Sequence, residues 1–392
     1  MALPFLTRRP DSGLGNIRSS PGDPSRNIDW VLLTLQAILT IAGCAIVYSA
    51  SRFQVRGDPY AFVTRQVVFA IAATVVMAAV MTVDYEWFKE RAGLFYAATL
   101  ALLVLILLLG FARGRDVISF DFGPINVQPA EIAKFTTLLA LCAYLSETRV
   151  EHYSAGQSSG DVTYAQFLTG LMLVGAPAVL VILQPDLGSA SVITTIAMGV
   201  LLVAGARAKY IATISLLSLA TVVAAFAGGL VNSYQTERLK VFLGREVNED
   251  SAFQVTNAIR ATATGGVWGK GWLKGELVNN GNIPVVWADF PFAAVGEQFG
   301  LVGCAVLLAL FVLVLMRIWR IATLSRDLLG TYLCAGVFTM LLWQVFQNVG
   351  MTLGVMPVTG LPLPFISYGG SSLIAYFALF GIVQSVHMRR MR

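Results

Sequence analysis

The residue best suited to chemistry is a carboxylate among apolar side chains. Asp289 lies in PVVWADFPFAAVGEQFG, between Trp287 and Phe290, just before a long apolar run. An apolar, partly dehydrated surround raises the pKa of a carboxyl group and makes its anion a stronger base, as general-base catalysis near neutral pH requires. Taken alone, Asp289 fits equally well as the cap of the helix that begins in this segment. Both roles stay open at this point.

Three further acidic residues lie in or beside apolar sequence, where ionisable groups are costly and mark functional sites. Glu297 follows Asp289 by eight residues, and its alternative role is hydrogen bonding that locks the bundle. Asp186, in LQPDLGSAS, fits better as a helix cap when taken alone. Glu131 and Lys134, in QPAEIAKF, are three residues apart, so on a helix they share a face and can neutralise each other.

Basic residues alternate with glycine and tryptophan in NAIRATATGGVWGKGWLKGE, which contains Arg260, Lys270 and Lys274. Glycine lets backbone N–H groups approach an anion, and the cations offset phosphate charge. Such a stretch also binds lipid head groups without specificity. The pattern suits a substrate that carries phosphate at a membrane surface. The sequence contains no GxxxxGK[ST] or GxGxxG context, which argues against nucleotide-driven chemistry.

The elements that must position these residues are membrane helices. Of the 392 residues, 56% are hydrophobic and 12% are charged, and the mean hydropathy is +0.72. A soluble domain carries about a quarter charged residues, whereas runs of about 20 apolar residues span a bilayer as helices. The sequence predicts an all-α integral membrane protein with about ten transmembrane helices, near 30–50, 61–83, 93–112, 130–146, 165–184, 187–205, 209–231, 298–318, 328–352 and 370–387.

The distribution of basic residues predicts the orientation of these helices. With the N-terminus in the cytoplasm, the cytoplasmic segments hold 15 of the 27 basic residues, as the positive-inside rule requires. Residues 1–29 are then a disordered cytoplasmic tail, and 389–392 are a short one. His152 and His387 both face the cytoplasm, so acid–base chemistry outside must use carboxylates, lysine or tyrosine.

Two stretches without a spanning run lie on the outer side. The segment 232–297, between helices 7 and 8, alternates apolar and charged residues as interfacial or re-entrant helices do, and loops of this length are usually functional. The segment 354–372 concentrates proline and glycine between two spans, so it cannot be a continuous helix. Irregular backbone at membrane depth is buried in protein or lines a wet cavity, which predicts a cavity wall that opens outward.

Several of these segments together resemble one protein family. QNVGMTLGVMPVTGLPLPFISYGGSS is the most specific part, and INVQPAEIAKF, LQPDLGSA, GGVWGKGWLKG and ADFPFAAVGEQFG also match. The chain resembles, over nearly all of 30–388, the SEDS proteins of shape, elongation, division and sporulation, which include RodA, FtsW and SpoVE. The segment MTLGVMPVTG is more similar to the RodA branch, which serves cell elongation.

The resemblance implies a peptidoglycan glycosyltransferase that polymerises lipid II at the outer face of the bacterial cytoplasmic membrane. It maps the essential aspartate of the family onto Asp289, and it implies a class B penicillin-binding protein, a single-span transpeptidase, as partner. This chain has Trp287-Ala288 where the family commonly has His-Thr, and Glu297-Gln298 where it has Glu-Glu. The run from Ile259 to Thr264 also replaces the usual Ile-Ala-Ile-Gly-Ser. These departures leave the base in place but weaken the carry-over of a metal-binding role.

The predicted reaction is an inverting glycosyl transfer with undecaprenyl diphosphate as leaving group. Asp289 acts as the base, and Arg260, Lys270, Lys274 or Lys134 stabilise the diphosphate, with Glu131, Asp186 and Glu297 as further substrate-binding candidates. No cofactor is evident, a divalent cation stays open, and membrane lipids but no nucleic acid are expected as other partners. The rival predictions are a flippase or transporter for the lipid-linked precursor, and a noncatalytic scaffold for the transpeptidase.

Overall fold

A computed structural model describes residues 27–53, 58–113, 117–122, 125–154, 162–228, 233–242 and 249–391. These ranges form helices joined by short connections, together with one small hairpin. In chain order the elements are α1 (Trp30–Ser51), α2 (Ala61–Thr82), α3 (Tyr85–Glu90), α4 (Ala92–Arg113), β1 (Phe120–Phe122), β2 (Ile125–Val127), α5 (Pro129–Ser154), α6 (Tyr164–Leu183), α7 (Leu187–Val203), α8 (Ala208–Ala227), α9 (Ser233–Phe242), α10 (Glu249–Thr264), α11 (Glu276–Asn279), α12 (Pro291–Thr323), α13 (Leu328–Thr352) and α14 (Gly370–Met388).

A helix occurs at each of the predicted spans. Seven of the described helices, α1, α2, α4, α6, α12, α13 and α14, are long and apolar enough to cross a bilayer. Helices α7 and α8 are apolar but shorter, and α5 carries Glu131 and Lys134 near its start. The prediction of an all-α integral membrane protein is confirmed, and crossing of the bilayer by α5, α7 and α8 stays a prediction.

Two charged residues of the predicted tails, Asp29 and Arg389, are buried in the folded domain. Residues 1–26, most of the predicted N-terminal tail, lie outside the described residues. Asp29 is buried and caps α1, and its Oδ2 lies 2.6 Å from Nε of Arg317. Arg389 is also buried, and its Nη2 donates to the carbonyl oxygen of Thr82 at 2.8 Å. Both residues satisfy polar groups at helix ends.

The core of the bundle is formed by α13 and α14. In the most apolar stretch of each helix, 67% of the α13 residues and 72% of the α14 residues are buried, against 17% in α4. Helix α13 packs against α12 and α7, and α14 packs along α2. A hairpin that the sequence did not indicate pairs Phe120 with Val127, and Ser371 Oγ at the start of α14 donates to the carbonyl oxygen of Asn126 in β2.

The described residues of the predicted loop 232–297 contain three helices, α9, α10 and α11. It ends earlier than expected because α12 begins at Pro291, not near 298. Proline is favoured in the first turn of a helix, where its missing N–H has no intrahelical acceptor. Glu297 therefore lies inside a helix, and Asp289 lies two residues before its start.

Helix α12 is kinked at Gly300, whose φ of 65° and ψ of −160° are accessible essentially only to glycine. The glycine loop, residues 265–275, packs into this kink. The N–H groups of Leu301 and Val302 donate to the carbonyl oxygens of Gly266 and Val267 at 2.9 and 3.1 Å. The loop thus supplies the hydrogen bonds that the broken helix lacks.

We expect Gly300→Ala to lower the free energy of unfolding by at least about 1–3 kcal/mol, the range for a residue held in a disfavoured backbone region. A Cβ at this position would also lie 2.6 Å from the carbonyl oxygen of Val267. Thermal unfolding of the detergent-purified protein measures the effect. Gly175→Ala is the control, because a Cβ in the middle of α6 meets nothing within 4 Å. An equal melting temperature for both variants would contradict the role of the kink.

Candidate active site

Asp289 belongs to the aspartate turn, residues 285–290, which leads into α12. The N–H groups of Ala288 and Asp289 donate to the carbonyl oxygen of Val285 at 3.0 and 3.2 Å, which closes the turn. Phe290 is the N-cap of α12, and no side chain of the described residues caps this helix. The capping role left open for Asp289 is therefore wrong. Among the described residues, its carboxylate has no hydrogen-bond donor and is available for chemistry.

Trp287 of the aspartate turn packs in a cluster of aromatic rings. The Trp287 ring lies 5.0 Å from the Phe62 ring, which in turn lies 4.9 Å from the Tyr368 ring. The Tyr368 N–H donates to the carbonyl oxygen of Trp287 at 2.9 Å. Trp287, at the position where the resemblance implies histidine, thus belongs to an aromatic cluster two residues before Asp289.

Burial raises the pKa of the Asp289 carboxyl group, and the positive charge of Arg238 opposes this rise. The direction is the one expected for a carboxyl group removed from water. Arg238 lies on α9, and its Nη1 donates to the carbonyl oxygen of Val358 at 3.3 Å. Its approach to Asp289 was not predicted, because the two residues are far apart in sequence and nothing in the local pattern marks this arginine among the other cations of the loop.

The proline segment, residues 353–369, lies against the aspartate turn and is irregular, as predicted. Polar side chains of α13 bind its backbone. Gln344 Nε2 donates to the carbonyl oxygen of Pro362 at 3.4 Å, and Asn348 Nδ2 donates to that of Leu361 at 2.8 Å. Asn348 Nδ2 also donates to the carbonyl oxygen of Asp289 at 2.9 Å. The cavity that this segment was predicted to line stays a prediction.

Glu297 is fully buried and binds the glycine loop and α11 to α12. Lys270 Nζ lies 3.0 Å from its Oε1, and the N–H groups of Leu277 and Val278 donate to its two carboxylate oxygens at 3.0 Å. The hydrogen bond with Glu297 raises the pKa of the Lys270 ammonium group. The contacts of Glu297 among the described residues are internal, which matches the locking role left open for it.

The backbone of the glycine loop serves packing where an anion cradle was expected. The N–H groups of Lys270 and Gly271 donate to the carbonyl oxygens of Glu297 and Gln298, both at 3.0 Å. A Cβ at Gly269 would collide with the carbonyl oxygen of Gln298. The glycines are therefore required for close approach to α12.

The other basic candidates, Arg260 and Lys274, are exposed, and neither forms an ion pair with a described residue. Lys270, by contrast, contacts both Glu297 and the exposed Glu276, the latter at 3.4 Å. Arg260 and Lys274 therefore stay candidates for contact with a phosphate-bearing ligand.

The remaining candidates lie at the starts of α5 and α7. Lys134 Nζ lies 2.6 Å from Glu131 Oε1, and both side chains are buried, which confirms the pairing predicted from their spacing. Asp186 caps α7 by accepting from the Ser189 N–H at 2.9 Å, as its sequence context favoured. Asp186 also accepts from Gln128 Nε2 at 3.0 Å, which connects the starts of α7 and α5. Within the described chain, no three His, Cys, Asp or Glu side chains group as a metal site requires.

Comparison with known proteins identifies the family. A sequence model of the family described as "Cell cycle protein", which covers FtsW, RodA and SpoVE, matches residues 29–392. A protein of Geobacter metallireducens named "Probable peptidoglycan glycosyltransferase FtsW" is 32% identical over 371 residues, which are 92% of this chain and 95% of that protein. The chain belongs to the SEDS family, the expectation drawn from its motifs.

Two solved structures share the fold. The rod shape determining protein RodA of Thermus thermophilus is 28% identical, with a TM-score of 0.67 over 93% of this chain and 98% of that one. A chain from a structure described as "Structural coordination of polymerization and crosslinking by a peptidoglycan synthase complex" is 29% identical, with a TM-score of 0.72 over 93% and 99% of the two chains. Relatives from more than one branch thus match this chain to a similar degree.

We expect Glu297→Gln to lower the free energy of unfolding by at least about 1.5–3 kcal/mol, the range for one hydrogen bond to a charged group. The amide cannot accept from both backbone N–H groups and the Lys270 ammonium at once. The melting temperature in detergent measures the loss. Glu276→Gln is the matched control, because Glu276 also contacts Lys270 but is exposed. If both variants melted alike, the anchoring role of Glu297 would be refuted.

Proposed function

We propose that this protein is a peptidoglycan glycosyltransferase that polymerises lipid II at the outer face of the bacterial cytoplasmic membrane. The observation that carries the proposal is the environment of Asp289. Burial raises the pKa of its carboxyl group, and no described residue donates a hydrogen bond to it. Its position matches that of the essential aspartate of the family. A base whose pKa is raised toward the working pH accepts a proton more effectively in the transition state.

Asp289 takes the proton from the 4-hydroxyl of the GlcNAc of an incoming lipid II. The hydroxyl oxygen forms a bond to the anomeric carbon of a lipid-linked MurNAc while the bond to the undecaprenyl diphosphate breaks. Because the donor linkage is α, a single displacement gives a β-1,4 linkage. The diphosphate is already a good leaving group, so one base suffices without a paired nucleophile and acid.

The electrostatics at this end of the bundle suit an anionic leaving group. Helices α5, α7, α12 and α14 all begin here. Gln128 contacts Asp186, Ser371 contacts Asn126, and the Tyr368 N–H donates to the carbonyl oxygen of Trp287. Helix starts carry partial positive charge and favour phosphate groups. Exposed Arg260 and Lys274 add positive charge that can stabilise the diphosphate.

We also propose that the protein serves elongation, as its MTLGVMPVTG wording suggests, and works with a class B penicillin-binding protein. The similarity to a chain in a complex that couples polymerization and crosslinking supports such a partner. The excess of basic residues in the predicted cytoplasmic segments supports a cytoplasmic position for both termini.

Asp289→Asn should reduce polymerisation of purified lipid II by about 10²–10⁴-fold, the usual contribution of a general base. The protein is reconstituted with its transpeptidase partner, and product strands are resolved by gel electrophoresis. Asp58→Asn, an exposed aspartate that caps the turn before α2, is the control and keeps wild-type activity. Wild-type activity in folded Asp289→Asn would refute the assignment. Translocation of lipid II without polymer would favour the flippase.

Arg238→Gln should move the acidic limb of the pH–rate profile to higher pH. The base acts when deprotonated, so activity is lost as the pH falls through the pKa of Asp289. Arg238 lowers that pKa, and its removal raises it. The rate therefore falls several-fold on the acidic side and little on the alkaline side. Lys240→Gln, an exposed cation on the same helix, is the control and leaves the limb unchanged. An unshifted limb in Arg238→Gln would contradict the electrostatic link.

A further inference from the structure

Asn348 is the one described side chain of α13 that binds the residue proposed as base. It is fully buried, and both hydrogens of its amide are used: one for the carbonyl oxygen of Asp289 at 2.9 Å and one for that of Leu361 at 2.8 Å. An asparagine amide has two donor hydrogens, so this arrangement exhausts its capacity to donate.

The carbonyl group of Asp289 depends on this contact. It accepts no hydrogen bond from the backbone of α12, because the N–H of Ala293 donates to the carbonyl oxygen of Phe290 instead. This carbonyl group is partly buried, and Asn348 Nδ2 supplies the donor that it needs. The peptide unit that carries the Asp289 side chain is thereby held at a fixed position relative to the proline segment.

A purely structural role is the alternative, because other α13 side chains also bind the proline segment. Gln347 is equally buried, and its Nε2 donates to Thr359 Oγ1 at 3.4 Å. Gln344 donates to the carbonyl oxygen of Pro362. These contacts hold the segment but do not reach the aspartate turn. Asn348 differs from them only in joining the segment to Asp289.

We propose that Asn348 is a positioning residue that fixes the orientation of the Asp289 carboxylate toward the hydroxyl group it deprotonates. The inference rests on the proposed function for its effect on rate. A displacement of about 1 Å at a reacting group can reduce the rate about 10²-fold even when binding is preserved. Loss of Asn348 should therefore lower kcat and leave KM for the lipid-linked substrate nearly unchanged.

The test compares Asn348→Leu, which keeps the length of the side chain and removes both donors, with Gln347→Met, which does the same to its neighbour. Lipid II polymerisation with the partner present gives kcat and KM. We expect kcat to fall about ten- to a hundredfold in Asn348→Leu, with KM within about twofold. Gln347→Met keeps its kcat. Equal losses in both variants, or unchanged kcat in Asn348→Leu, would overturn the proposal.

Hydrogen exchange followed by mass spectrometry gives a readout that needs no activity. In Asn348→Leu the amides of residues 285–290 should exchange faster, whereas in Gln347→Met they should exchange as in the wild type. If wild-type protein polymerised nothing, the proposed function would fail, and the exchange rates would still decide the positioning claim. Unchanged exchange in 285–290 would overturn it. Should Asn348→Leu fail to fold, Asn348→Ser, which keeps a single donor, takes its place in both measurements.

Discussion

The structure depends on one constraint: backbone that is not helical, yet packed within a membrane bundle, must find its hydrogen bonds in the protein. The glycine loop meets this requirement by docking at the Gly300 kink of α12. The proline segment meets it through the amide side chains of α13. The aspartate turn contacts both regions, since it leads into α12 and accepts a hydrogen bond from Asn348 of α13. Asp289 is therefore held by neighbours from distant parts of the chain.

The same packing separates the charges into two groups. Buried carboxylates are paired internally, as Glu131 is with the buried Lys134 and Glu297 with the half-buried Lys270. Asp289 has no such partner among the described residues, so burial acts on its pKa with only the charge of Arg238 opposing. Internal pairing limits what the locked residues can do for a ligand. Within the part of the chain that the structure describes, Asp289 is thus a carboxylate that remains available to a substrate.

Features that depend on local pattern could be predicted from the sequence, and those that depend on distant contacts could not. Apolar runs located the helices, and the spacing of Glu131 and Lys134 gave their pairing. The predicted start of α12, near 298, is wrong because hydropathy marks only the apolar core of a helix. The helix itself begins earlier, at Pro291. No local sequence pattern indicates that Arg238 approaches Asp289. The glycines suggested anion binding, but close packing against α12 has the same sequence signature.

The proton affinity of Asp289 tests this account most directly. Infrared difference spectra between wild type and Asp289→Asn isolate the carboxyl stretch of this single side chain, and its amplitude against pH gives the pKa in the detergent-solubilised protein. A midpoint clearly above the ordinary aspartate value is the predicted result, because burial is the largest influence on the group. A midpoint at or below the ordinary value of about 3.9 would mean that the carboxylate is well solvated, and the physical basis for its action as a base would be lost.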